Sequence, residues 1–365
     1  GNGRVFSIPG FMYQSITFII KSAFSEHTAK WFHLTPFKHV WKSPVTGQIQ
    51  QIYDKLYCSD AWNDAHDNDN LQKQKQSDGC ELERVIASLM FWSDSTQLAQ
   101  FGHAFVWPIY LFFRNLSKHY CGTPNSGACH PVGFISMLPD SIKNFLSKLY
   151  PDKRNHDDTI LQCRHELFHA IWALLLDDYL VEAYKNGIEV TCYDGIKRHV
   201  FPRIFTYLVD YPEKAIIATI HDKGICPCPW CLSLLSSFGC LGLCFDASSR
   251  LLKIQTYLQH KVKSARDAIY KQGIPIKGAT VECILKEFSL VPTILTHICH
   301  SGVIDCLSPV GFDLFPALVV DLLHQFELGV LKSVLKHLIQ MLYAIDPGLV
   351  AMLNERLVLS YFLLP

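Results

Sequence analysis

Two apolar runs, each of strand length and each closing on an aspartate, restrict this chain more than any other feature in it. Residues 85–92 form a compact apolar segment that ends in Ser93-Asp94-Ser95-Thr96, and Ile204, Phe205, Tyr207, Leu208 and Val209 lead directly into Asp210. Their length and their β-branched and aromatic content favour buried strands over helix segments. A third acid, Glu327, lies inside a stretch of helix formers, residues 318–344, that carries Leu322, Leu323, Phe326, Val330, Val334, Leu338 and Leu342. A carboxylate at the edge of an apolar core is costly unless it is paired, caps a helix or binds a metal. The plain alternatives are that Asp94 caps a turn, that Asp210 caps a helix beginning at Tyr211 or Pro212, and that Glu327 pairs with Lys332 or solvent.

The segments between these landmarks predict an α/β chain. Residues 106–113 and 130–138 are short, aromatic and bounded by turn formers, so each reads as a strand. Between 161 and 186 the apolar positions recur at helical spacing, and Gly187 follows as a stop. Residues 187–210 read as a hairpin around Tyr193-Asp194-Gly195. Pro212 and Glu213 then open a helix through Ile220, with proline early, where its missing N–H is harmless. Residues 61–79 are almost wholly polar and read as a solvated linker.

At 365 residues and 49% hydrophobic the chain can bury a substantial core. Lys plus Arg (33) equals Asp plus Glu (33), so no global field draws it to nucleic acid and any such contact must be local. The densest basic segment holds Arg250, Lys253, Lys261, Lys263, Arg266, Lys271 and Lys277 against one acid, Asp267, with Tyr257 and Tyr270 interleaved. That pattern suits contact with a phosphate backbone, and it equally suits a solvated helix face. The 14 cysteines are scattered and no leader precedes them, which points to a reducing compartment. The most apolar N-terminal run, residues 11–20, is interrupted by Gln14, Ser15 and Thr17 and falls short of the roughly 20 residues a membrane helix needs, so no membrane partner is expected. Gly1 at the start and an apolar, uncapped tail at 357–365 lead us to expect a truncated copy.

Three acids from separate elements form the hard-oxygen set that Mg²⁺ or Mn²⁺ takes, and two such ions about 3.5–4 Å apart can serve phosphoryl transfer. The sequence around the acids is specific. Phe91-Trp92-Ser93-Asp94-Ser95-Thr96-Gln97-Leu98-Ala99-Gln100-Phe101-Gly102, then Trp107-Pro108-Ile109-Tyr110 and Asn115-Leu116-Ser117-Lys118, resembles the first catalytic block of the Plavaka transposases. These are the fungal, CACTA-like branch of the Kyakuja-Dileera-Zisupton group. The run from Phe201-Pro202-Arg203 through Leu208-Val209-Asp210-Tyr211-Pro212-Glu213-Lys214 resembles the second block, and Asp321-Leu322-Leu323-His324-Gln325-Phe326-Glu327-Leu328-Gly329-Val330 the third.

The resemblance implies a DDE transposase with an RNase H-like mixed sheet and a large helical insertion before the last catalytic helix. Asp94, Asp210 and Glu327 would hold two Mg²⁺ or Mn²⁺ ions, and Asp321 and His324 would support them, although His324 also fits a satisfied core histidine. The implied activity is two-metal cleavage at transposon ends and strand transfer by the freed 3′-hydroxyl. The implied setting is double-stranded DNA in the nucleus, worked on by a homodimer. The expected organisation is an extension and linker at 1–80, the first part of the catalytic core at 81–225, a cysteine knuckle with a basic helical insertion at 226–312, and the last catalytic helix with a cut tail at 313–365.

Cys226-Pro227-Cys228-Pro229-Trp230-Cys231, shortly after His221, matches the cysteine knuckle of the same family. Cys226, Cys228 and Cys231 would be zinc ligands, with His221, Cys240, Cys244, His297 or His300 as the fourth. A proline-stiffened turn with buried thiols is the other reading. The chain also departs from the family pattern. Arg114 stands where glycine usually precedes the asparagine, and Tyr120-Cys121-Gly122 lacks the arginine usual before Thr123-Pro124. Residues 233–249 and 294–306 do not read like the family, and the usual C2H2 finger is missing. An inactive, DNA-binding remnant and an unrelated nuclease of similar fold are the competing expectations.

Overall fold

The computed structural model describes residues 5–8, 10–67, 71, 79–98, 105–151, 156–295, 307 and 312–362. The chain divides into two compact units, residues 1–319 and 320–365, which are described in turn.

In the first unit the described strands are β1 (Val40–Lys42), β2 (Ile49–Gln51), β3 (Glu83–Ser93), β4 (Thr96–Gln97), β5 (Phe105–Val106), β6 (Pro108–Phe113), β7 (Cys129–Phe134), β8 (Ile188–Thr191), β9 (Lys197–Leu208) and β10 (Leu318–Val319). Six of them form one mixed sheet in the order β10-β9-β3-β6-β7, with β8 antiparallel to the start of β9. β3, β6 and β7 are an antiparallel meander, whereas β3, β9 and β10 run parallel. The mixed α/β architecture expected from the sequence is therefore present.

β3 is apolar throughout because both of its faces are covered. Val85, Ala87, Leu89 and Phe91 lie in the main core with Phe168, Trp172 and Tyr207, whereas Ile86 joins Phe201 in a second cluster under Tyr57, Trp62 and Leu71. This alternation is the two-residue period of a strand. The apolar N-terminal helix Ile16–Ser25 buries Ile16, Ile19, Ile20, Ala23 and Phe24 in the main core.

β6 pairs with β3 only from Leu89 to Ser93, so the earlier edge of β3 needs other partners. Asn115 supplies them. Its Oδ1 accepts from the Ser88 N–H (2.9 Å), and its Nδ2 donates to the carbonyls of Ile86 (2.9 Å) and His33 (3.0 Å).

Several expectations need correction. The polar stretch after residue 60 is not all linker: Asp60–Asp67 is a helix, held because Trp62 is fully buried and Asn63 and His66 are nearly so; residues 68–70 and 72–78 lie outside the described residues. The helix expected over 161–186 is two, Asp157–Leu175 and Asp178–Asn186, because Asp177 accepts from the Leu180 N–H (2.8 Å) and caps a new start. The strand expected at 106–113 divides at Trp107 between β5 and β6, and the one expected at 130–138 ends at Phe134. Leu318 and Val319 are not helical, since they pair with Tyr207 and Leu208 as β10.

The second unit opens with π-type winding over Leu322–Leu331, continues as the α-helix Lys332–Ile345, and returns along Pro347–Phe362, which packs against it. Among the described residues Leu322–Ile345 is the one helix long and apolar enough to cross a membrane, by length and composition alone, with mean hydropathy 1.3. A helix built to be covered by protein has the same character.

Candidate active site

Asp94 follows the last residue of β3 directly, and Asp210 stands two residues past the end of β9. A β-bulge brings them level. β3 pairs with β9 as Leu89 with Ile204, then as Met90 with Thr206, leaving Phe205 as the extra residue. Continued without that bulge, the first register would set Asp94 level with Val209. With it, Trp92 pairs with Leu208 and the two aspartates fall at the same level. Adjacent strands lie about 4.7–4.9 Å apart, so the two aspartates leave neighbouring strands at the same end of the sheet. β10, pairing Val319 with Leu208, ends at the same edge.

Asp210 is also a helix cap, as the plain reading of the sequence held. Its Oδ1 accepts from the Glu213 N–H (2.9 Å) at the start of the helix Tyr211–Ile217. The two roles are compatible, because an ionised carboxylate has about four lone-pair sites and the cap takes one.

Beneath the pair lies a buried acid that the sequence reading used only as a helix opener. Glu213 is 4% exposed. Its Oε1 accepts from the Ser93 hydroxyl and, at 3.4 Å, the Tyr207 hydroxyl; its Oε2 accepts from the Trp107 indole N–H at 3.0 Å. Burial pushes its carboxyl up to about 8, and the nearby Asp210 charge adds to the rise. The one sequence signal was position. A glutamate three residues after a capping aspartate normally folds back on the cap's own N–H, and this one turns into the core.

In the second unit Asp321 and His324 are in direct contact. Asp321 caps the helical run by accepting from the His324 N–H (3.2 Å), its Oδ2 lies 2.5 Å from His324 Nδ1, and its own N–H donates to Gln325 Oε1 (3.1 Å). The expected single α-helical face for Asp321, His324 and Glu327 does not form, because Asp321 stands before the helix and the winding there is π-type, bonded from i to i+5 and so wider than an α-helix. Lys332 meets Glu327 through the backbone, its N–H donating to the Glu327 carbonyl.

At the cysteine knuckle the thiols of Cys228 and Cys231 are within hydrogen-bonding reach of each other. The Cys226 thiol turns to the carbonyls of Glu287 (3.6 Å) and Leu232 (3.8 Å), and burial pushes the Cys226 and Cys228 thiols up. Cys240 and Cys244 are exposed, and His297 and His300 lie outside the described residues. Among the described residues no three His, Cys, Asp or Glu side chains stand close enough together to hold a metal. The Trp230 indole N–H donates to the Leu318 carbonyl, which ties the knuckle to β10.

Five of the seven basic residues hold ion pairs: Arg250 with Asp246, Lys261 with Glu287, Arg266 with Glu166, Lys271 with Asp267 and Lys277 with Asp158. The segment is thus less cationic in space than in sequence.

No curated protein matches the chain. The family model described as Plavaka transposase matches residues 11–341, a span that takes in Asp94, Asp210 and Glu327 with all three sequence blocks. The chain belongs to the Plavaka transposase family.

Proposed function

We propose that the chain is a DDE-type DNA transposase that cleaves DNA by two-metal hydrolysis at transposon ends and joins the freed 3′-hydroxyl to target DNA. Asp94, Asp210 and Glu327 are its metal-binding carboxylates. The observation that carries this reading is the bulged register that sets Asp94 level with Asp210 at the ends of adjacent parallel strands. The strand order supports an RNase H-like core, with β3 antiparallel to β6 and parallel to β9, and an acid just past the end of each of β3 and β9. The setting we propose is the nucleus, with a homodimer handling two DNA ends.

The donors suit Mg²⁺ or Mn²⁺, which prefer hard oxygens. Bound there, such ions would activate the attacking oxygen and stabilise the leaving one. The chain's own residues do the rest. Asp94 and Asp210 offer carboxylates from the ends of adjacent strands, and Glu213, its carboxyl pushed up to about 8 by burial, keeps its oxygens on Ser93, Tyr207 and Trp107. Asp321 fixes the ring of His324. Lys253, Lys263 and the ion-paired basic residues contact phosphates, Lys271 and Lys277 most readily, since their ion pairs are exposed and such pairs are worth only about 0–1 kcal/mol and can exchange partners.

The test is nicking of supercoiled plasmid in Mg²⁺ or Mn²⁺, followed by joining of a labelled 3′ end. Changing the outer partners of a metal site alone costs about 10–100-fold; Asp94→Asn and Glu327→Gln should each cost at least that much. Nicking by either variant at the wild-type rate would remove it from the set. Nicking without end joining would leave a nuclease, and DNA binding with no cleavage in either metal would contradict the reading.

A further inference from the structure

The hairpin of β1 and β2 stands apart from the main sheet, its strands paired only with each other among the described residues. Val40 faces Gln51, Trp41 faces Gln50 and Lys42 faces Ile49. The turn is well made: Ser43 Oγ accepts from the N–H of Val45 (3.3 Å) and Thr46 (3.1 Å), and Gly47 adopts the positive φ of 69° that closes it. From Phe37 to Gln50 every residue is exposed except the half-buried Ser43, and the exposed set includes Val40, Trp41, Val45 and Ile49.

An isolated two-stranded ribbon is at best marginally stable in water, and apolar surface left wet on it forgoes about 25 cal/mol per Å². Such a ribbon is built to be covered. Its charge says by what. Residues 38–53 contain Lys38, His39 and Lys42, the side-chain amides of Gln48, Gln50 and Gln51, and no acid. The nearest carboxylates, Asp54 and Asp60, are at the root, where Asp60 holds the ribbon in place: Lys38 pairs with it (3.1 Å), and it accepts from Gln51 (3.2 Å) and Tyr53 (3.2 Å). With Lys38 on Asp60 and His39 Nδ1 3.8 Å from Asp54, Lys42 carries the ribbon's outward positive charge; an amide-bearing, acid-free strand pair with that charge complements a polyanion with hydrogen-bonding base edges, and the major groove admits a two-stranded ribbon.

We propose that the Val40–Gln51 hairpin is a DNA-contacting element that lies in a groove of duplex DNA, with Lys42 on phosphate, Gln48 and Gln50 on base edges, and Trp41 supplying apolar contact. The inference rests on the proposed reading that the chain acts on DNA, and it adds a DNA-facing element outside the basic segment 250–277.

The test is fluorescence anisotropy of a labelled duplex with the full chain across a salt series, for wild type, Trp41→Ala and Lys42→Glu. Both residues are exposed, and unfolding curves check that each variant folds. The expected result is a fall in affinity of about tenfold or more in each variant, with the log–log salt slope reduced by about 0.9 in Lys42→Glu because one phosphate fewer is neutralised. Wild-type binding with unchanged affinity and slope in both variants overturns the hairpin proposal and leaves the transposase reading standing. No DNA binding by the wild type overturns both. Sedimentation run alongside gives a further overturning result: a wild-type dimer that Trp41→Ala converts to monomer without loss of DNA affinity assigns the ribbon to a second copy.

Discussion

At Asp210 one carboxylate caps a helix through Oδ1 and also closes the strand that lies beside Asp94, and Glu213, three residues on, is drawn beneath both by Ser93 and Trp107. Glu213 makes a signed prediction. Its folded-state value, about 8, lies above its ordinary 4.5, so folding takes up a proton between those limits. The stability it contributes is fullest below 4.5, declines as pH rises toward 8 and is lost beyond it. The slope from this one group is at most roughly 1.4 kcal/mol per pH unit. His165 and His169, held near 4 by burial, act in the opposite sense, losing stability as pH falls below 6.5. The difference between wild type and Glu213→Gln isolates the glutamate. Urea unfolding at pH 5, 6, 7 and 8 should show the variant gaining on wild type as pH rises; parallel profiles would mean Glu213 is ionised in the fold.

Among the elements, β3 depends on a residue outside it. Asn115 satisfies the buried N–H of Ser88 and carbonyl of Ile86, and truncating it leaves both without that partner. Asn115→Ala should cost on the order of 3 kcal/mol in denaturant unfolding, and a loss below about 0.5 kcal/mol would show that water replaces the amide. The sequence made the strand pair legible, since apolar runs ending in acids are local signals. It could not reveal the bulge at Phe205, because register depends on pairing between residues more than 100 apart in the chain, and a one-residue slip leaves each run looking the same. The helix Asp60–Asp67 was missed for a related reason: a polar stretch is held by one buried tryptophan whose partners, Ile86 and Phe201, come from distant strands.

For the molecule as a whole, the family match and the mixed sheet agree with the sequence reading, and the acids divide between the units, with Asp94 and Asp210 in residues 1–319 and Glu327 in 320–365. The basic segment was easier to read as a count than as a field, because its partners Glu166, Glu287 and Asp158 lie far off in the chain. Binding of Mn²⁺ in the presence of duplex DNA, followed by loss of the free-ion electron paramagnetic resonance signal, tests the central claim most directly. Asparagine caps helices about as well as aspartate, whereas alanine costs about 1 kcal/mol. Asp210→Asn should therefore keep the unfolding midpoint and lose Mn²⁺ binding, and Asp210→Ala should lower the midpoint as well as lose Mn²⁺ binding. Wild-type Mn²⁺ binding by Asp210→Asn would show that Asp210 is a helix cap and nothing more.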